Sequence, residues 1–337
     1  MILPESEIAG AVRKVLGLNP GDSLEIIALS RRGSERNFYR ALVNSKTGGK
    51  SVIVVNYSPG REENNYYTGL ARFLKTIGVA VPEIIADEEK LHVTIMQDLG
   101  NTDLWSFRNA AWEHRRGLYR KSLDMICRLH SFPAERARTK MVKMMPGFGP
   151  ELYRWEREYF RENFLQEFCG LGARAAQSAE LENELAALAG RLCDSRSCLV
   201  HRDFQSQNIM VSNSEVYLID FQGMRTGSPF YDLGSLLYDP YVRLAGEERL
   251  ELLEYYFLIS GSDLEWNAFE KCFREAAAQR LMQSLGAYGF LGLKKGLSPF
   301  LEHIPSALDN LIDAAGKSGS LPRLLATAGL CREKINS

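Results

Sequence analysis

LVHRDFQSQNIMV (Leu199–Val211), then the polar SNSE, then VYLIDFQG (Val216–Gly223) form the stretch whose reading decides the fold. NIMV, SNSE and VYLID have the pattern of a β-hairpin: two short apolar runs around a polar turn. Asn208 stands where the loop enters the first strand, and Asp220 stands at the end of the second. A hairpin brings those two ends together, so an amide oxygen and a carboxylate can face one point. Both are hard oxygen donors, a set that suits Mg²⁺ better than zinc. Asp203 lies on the loop just before the hairpin and is free to meet a different partner. A metal that neutralises a polyphosphate, with a second acid that orients or deprotonates a hydroxyl, is what phosphoryl transfer requires.

The order and spacing carry a resemblance. His201-Arg202-Asp203-Phe204, with Asn208 five residues after the Asp, is similar to the catalytic loop of protein kinases apart from Phe for Leu. Asp220-Phe221-Gln222-Gly223 resembles the kinase metal-binding segment with one residue inserted. YDLGSLLYDP (Tyr231–Pro240) resembles the aspartate-led helix of the aminoglycoside phosphotransferase/choline kinase family. RWEREYFRENFL (Arg154–Leu165), AAQRLMQSLGAYGFLGLKKG and FLEHIPSAL narrow the likeness to that family's anomeric N-acetylmuramate/N-acetylglucosamine kinase branch. The similarity runs from the GSERNFYR hairpin to about residue 310. It implies a protein-kinase-like α+β fold of two lobes, with ATP and Mg²⁺ as cofactors in the cleft between them. By that resemblance Asp203 is the catalytic base, Asn208 and Asp220 hold the metal, and His201 and Asp232 support the catalytic loop.

The rest of the chain is consistent with such a layout. SLEIIALS, NFYRALV, SVIVVNYSPG, VPEIIAD and LHVTIMQDLG read as strands, with a helix at YYTGLARFLKTIGV stopped by Gly78. After Gly100 the apolar spacing turns helical, with Asn101 or Thr102 as the first cap. The expected lobes are therefore 1–98, a β-sheet with helices that covers the nucleotide, and 99–337, a helical lobe with the catalytic loop and acceptor site. MQDLG (Met96–Gly100) is the hinge between them.

Composition sets limits on partners. A net charge of -1 in 337 residues gives no basic surplus for nucleic acid. No apolar run reaches membrane-spanning length. Six cysteines without a C-x-x-C pair, and an N-terminus without a signal-peptide pattern, read as a cytoplasmic protein with inert thiols. The expected partner is a small-molecule acceptor, an amino sugar, with neither nucleic acid nor membrane involved.

One departure from protein kinases stands out. The third strand, SVIVVNYSPG, has no Lys for the phosphates, and Asn56 or a neighbour fills its place. The helix that follows has no Glu to pair with such a Lys, and losing both partners together avoids an unpaired buried charge. Arg36 and Arg40, with backbone N–H groups of Gly33 and Ser34, are the candidate phosphate contacts. The resemblance implies that the adenine meets the backbone from Gln97 to Leu99, and Asp98 is either a site residue or a turn former. Candidates for the acceptor are Gln205, Glu158 and Gln222, with a plain surface charge as the alternative for Glu158. His130 and His303 read as structural. Other small alcohols (an aminoglycoside, choline, homoserine) and a nucleotide-binding pseudokinase are the rival readings. From Asp220 onward 15 acidic residues face 12 basic ones, too slight an excess for an acceptor wall that binds polycations.

Overall fold

The computed structural model describes residues 3–29, 36–45, 48–139, 142–172 and 176–336. The N-terminal lobe is one antiparallel sheet of β1 (Ser23–Ala28), β2 (Asn37–Ser45), β3 (Gly48–Asn56), β4 (Ile84–Glu88) and β5 (Val93–Gln97) in the order β1-β2-β3-β5-β4. Successive strand residues point to opposite faces, and here both faces are used. Ala41, Val52, Val54, Val93 and Ile95 pack with Ile8 and Val12 of the helix Glu5–Leu16. The other parity, Phe38, Ile53, Val55 and Met96, turns toward the helical lobe and lines a cavity. The helix Tyr67–Thr76 ends where Gly78 takes φ 76°, a left-handed value that costs glycine little.

β5 ends at Gln97, and the chain crosses at Asp98–Thr102. The cap that follows is Asp103 rather than Asn101 or Thr102. Its Oδ1 accepts from Ser106 N at 2.9 Å and from Ser106 Oγ at 2.6 Å, and Ser106 Oγ in turn accepts from Asp103 N. Asp and Ser three residues apart close a reciprocal box, worth about 1 kcal/mol, that neither preceding residue can form.

The second lobe is mainly helical, with two small ladders set into it. β6 (Cys198–Val200) pairs with β9 (Arg225–Gly227), and β7 (Ile209–Ser212) pairs with β8 (Glu215–Leu218). Asn213 and Ser214 join β7 to β8 with φ of 51° and 63°, the two-residue turn whose twist matches that of the strands. Behind the ladders the helix Pro229–Leu237 is buried over its whole length. Gly234 of that helix lies against the backbone of the helix Trp266–Gly289: a Cβ there would stand 2.8 Å from Ala277 Cα. Among the described residues no helix is long and apolar enough to cross a membrane.

Candidate active site

The β7–β8 hairpin does the positioning. Ile219 N donates to Asn208 O at 3.0 Å, so Asn208 and Ile219 face each other across the ladder and Asp220 follows one residue later. Asn208 Nδ2 donates to Asp203 O at 2.9 Å, which ties the loop to the hairpin and leaves the amide oxygen as a donor to a cation. Asp220 has φ 64°, a conformation that turns the chain sharply out of β8. Asn208 and Asp220 both line a cavity of about 360 Å³ between the lobes. Two hard oxygen donors at the mouth of one cavity fit a magnesium ion with phosphate and water completing its shell.

The catalytic loop is clamped at two places by aspartates from behind. Asp232 accepts from His201 N at 2.7 Å and Arg202 N at 2.8 Å, and His130 Nε2 lies 3.0 Å from the same carboxylate. Ser228 occupies the N-cap position of the helix, and Asp232, inside its first turn, gives its carboxylate to the loop. Asp239, just past the helix end, accepts from Ser206 N at 2.8 Å and Ser206 Oγ at 2.5 Å. The His201 ring is buried against Ile219 O at 3.0 Å. These bonds hold Arg202 at φ 78°, a left-handed value for a non-glycine residue that persists only where its surroundings fix it.

Asp203 rises from this loop between two cations. Arg202 Nη1 lies 3.3 Å from its Oδ2, and Arg280 Nη2 lies 3.3 Å from its Oδ1. Burial would raise its pKa, but Arg202 and then Arg280 outweigh that and hold it below the ordinary carboxylate value. Asp203 is therefore ionised at neutral pH, as a proton acceptor must be. Behind it lies a buried polar wall. Glu156 is fully buried and accepts from Tyr231 Oη and Gln279 Nε2, each at 2.9 Å. Burial raises its pKa, opposed by Gln279 and Arg202.

Several expected roles are redistributed. Arg36 reaches across the cleft to Asp220 and donates through Nη1 to Gln222 Oε1 at 3.0 Å. Gln222 also donates to Asp220 Oδ1 at 3.0 Å, so both ends of its amide are engaged by Arg36 and Asp220. Asn56 does not fill the place of the missing Lys. Its Oδ1 accepts from Leu3 N and its Nδ2 donates to His92 O, on the face away from the cavity, while Ile53 and Val55 face inward. Arg40 lines the hinge end of the cavity, paired with Asp98 at 2.6 and 2.9 Å and donating to Asn101 Oδ1 at 2.7 Å. Asp98 serves as a turn former too, since its Oδ1 accepts from Gly100 N. Gln97 and Leu99 line the cavity. Gly33 and Ser34 lie outside the described residues.

On the acceptor side, Gln205 is half-buried beside Asp203, with its N donating to Asp203 O at 2.9 Å. Glu158 is exposed. It is Glu156, on the opposite side of the same helix, that joins the wall around Asp203. Glu156 and Asp239 lie inside stretches quoted for their resemblance, and Arg225 lies two residues past Gly223, yet no local pattern marks any of the three as part of the site. Arg280 sits in the Gln-Arg pair of the late helix, and that pair was the available signal.

The model of the phosphotransferase enzyme family matches residues 25–269. N-acetylmuramate/N-acetylglucosamine kinase of Pseudomonas putida is 23% identical over 305 residues, covering 89% of this chain and 86% of that protein. The protein of the same name from Neisseria meningitidis is 23% identical over 296 residues, with 86% of each covered. Among solved structures, a choline/ethanolamine kinase family protein from Mesorhizobium loti superimposes with a TM-score of 0.61 at 14% identity, over 97% of this chain and 99% of that one. An ADP-bound aminoglycoside phosphotransferase gives 0.58 at 15% identity, over 92% and 99%. Both structures share the protein-kinase-like two-lobe α+β fold.

Proposed function

The chain belongs to the phosphotransferase enzyme family, and from that premise we propose that it transfers the γ-phosphate of ATP to the anomeric hydroxyl of an amino sugar, N-acetylmuramate or N-acetylglucosamine. The observation that carries this reading is the placing of Asn208 and Asp220 on one cavity mouth, with an ionised Asp203 on the loop beside them. The sugar is supported by the names of the relatives that match along most of the chain. A polycationic acceptor is disfavoured by the wall around Asp203, which presents Arg202 and Arg280.

Each residue has a task in this scheme. The apolar cavity under β3 and β5 takes the adenine, with the backbone of Gln97–Leu99 at its edge. Asn208 and Asp220 would hold Mg²⁺, which would supply charge neutralisation for the phosphates. Arg36, paired with Asp220 and Gln222 at the cavity, is the cation that would meet phosphate oxygen in place of the Lys absent from β3. Asp203 orients the sugar hydroxyl and accepts its proton as the oxygen–phosphorus bond forms and the bond to the departing ADP breaks. Asp232 and Asp239 keep the loop rigid, so little reorganisation accompanies transfer.

A screen of ATP consumption across amino sugars, aminoglycosides, choline and homoserine tests the proposal, with the phosphorylated position read by ³¹P and ¹H NMR. The expected product is a sugar 1-phosphate, formed only with a divalent cation present. Turnover of choline or an aminoglycoside without turnover of either sugar would overturn the assignment.

A further inference from the structure

One guanidinium near Asp203 has no carboxylate of its own. Arg225 opens β9, opposite Val200 of β6, and is 6% exposed. Its Nε donates to Gly223 O at 3.0 Å. Its two terminal nitrogens meet no acceptor among the described residues, yet they are not sealed from solvent. The acids nearby are committed elsewhere. Asp203 lies between Arg202 and Arg280, and Glu156 accepts from Tyr231 and Gln279. Burial, then the like charge of Arg202, lowers the pKa of Arg225, so an incoming anion would relieve a real penalty.

The position is built rather than incidental. Phe148 lays its ring against the Arg225 guanidinium at 5.5 Å, held there by a bond from Phe148 N to Thr226 O at 2.8 Å. Two glycines allow this approach: a Cβ at Gly227 would stand 2.5 Å from Phe148 Cδ2, and one at Gly147 would stand 2.2 Å from Thr226 Oγ1. Gly223 lies between Arg225 and the reacting centre. Its carbonyl holds Arg225, while a Cβ on it would be 3.5 Å from Arg202 Nη1 and 3.9 Å from Asp203 Oδ2. A hydroxyl at Asp203 and an anionic substituent at Arg225 would thus flank one residue.

We propose that Arg225 is a specificity-determining residue that receives the carboxylate of an acidic acceptor sugar, so that the site prefers a carboxylate-bearing amino sugar to its neutral counterpart. The inference rests on the amino-sugar reading above. A guanidinium with two free N–H groups matches a carboxylate in a two-point pair, which a neutral hydroxyl cannot replace.

The test compares three acceptors, N-acetylmuramate, its methyl ester and N-acetylglucosamine, with wild-type protein, Arg225→Gln and Arg225→Lys. Wild type should favour the free acid over the ester. In Arg225→Gln the ratio of kcat/KM for acid over ester should fall about tenfold to a hundredfold, and Arg225→Lys should retain part of it. The proposal fails if wild type treats acid and ester alike, or if the ratio survives in Arg225→Gln. It fails too if Arg225→Gln lowers all three acceptors by one factor while raising KM for ATP, which would put the side chain on the transferred phosphate. Absence of wild-type turnover on every amino sugar is a separate outcome that overturns both this inference and the functional reading beneath it.

Discussion

The two walls of the cleft are made in opposite ways. The nucleotide wall is a sheet face of Phe38, Ile53, Val55 and Met96, supplied by strands adjacent in the sheet and paired in regular register. The opposite wall is a set of charges, Glu156, Arg202, Asp203, Arg225 and Arg280, drawn from a helix, a loop, a strand and a second helix. The first wall offers shape and apolar surface, and needs few side-chain hydrogen bonds. The second depends on buried polar groups meeting partners, as Asp203 meets Arg202 and Arg280 and Glu156 meets Tyr231 and Gln279, because removing one leaves another buried and uncompensated. A change in the first wall should therefore be absorbed locally, whereas a change in the second should spread.

That contrast can be broken by substitution on either side. The largest effect is expected at Asp203→Asn, which keeps the shape and removes the proton acceptor. Turnover should fall by about 10²–10⁴-fold while ATP affinity stays close to wild type, as read by steady-state kinetics and calorimetric titration. Similar turnover in the variant would take Asp203 out of the chemistry.

A smaller effect is expected where the nucleotide wall reaches across the cleft through Arg36. Arg36→Gln should raise KM for ATP about tenfold, equivalent to about 1.4 kcal/mol, with KM for the sugar little changed. If sugar KM moves instead, Arg36 serves the acceptor wall and the two walls are not independent.

The smallest effect is on stability. Glu156→Gln preserves the bond from Tyr231, and Gln279 has an unpartnered Oε1 that a rotated amide can offer to the new NH₂ group. The folded-state pKa of Glu156 is raised, so its contribution is fully present below the unfolded value and is lost as pH rises through the folded one. Against wild type, Glu156→Gln should therefore gain stability as pH rises from about 4 toward neutrality, by about 1 kcal/mol, readable as a difference in Tm. A difference that shrinks over that range would mean that Glu156 is held as the anion by Arg202 and Arg280.

How much could be read beforehand follows the same division. His201–Asn208, Asp220 and Asp232 were legible because loop, hairpin and helix N-terminus follow one another along the chain, so spacing is a proxy for distance. The strand pattern was legible from alternating β-branched residues. Of Asn56 and its neighbours it is Val55 that faces the cavity, because in a strand one residue exchanges the two faces. Glu158, read as an acceptor candidate or a plain surface charge, is exposed; two positions on a helix are about 200° apart, so of Glu156 and Glu158 only one can face the site. Which one does so depends on where Tyr231 and Gln279 arrive, and no local pattern records that. Gln222 was assigned to the acceptor because nothing in its neighbourhood announces Arg36, 186 residues away.

The close approach of Gly234 to Ala277 has a consequence for how this site can vary. Asp232 and Asp239 bracket that contact, and between them they grip the loop bearing Asp203. The seat of the reacting group is thus gauged by a spacer no thicker than a hydrogen atom. One methyl group inserted there would tilt the whole mount, far from any ligand and out of sight of solvent.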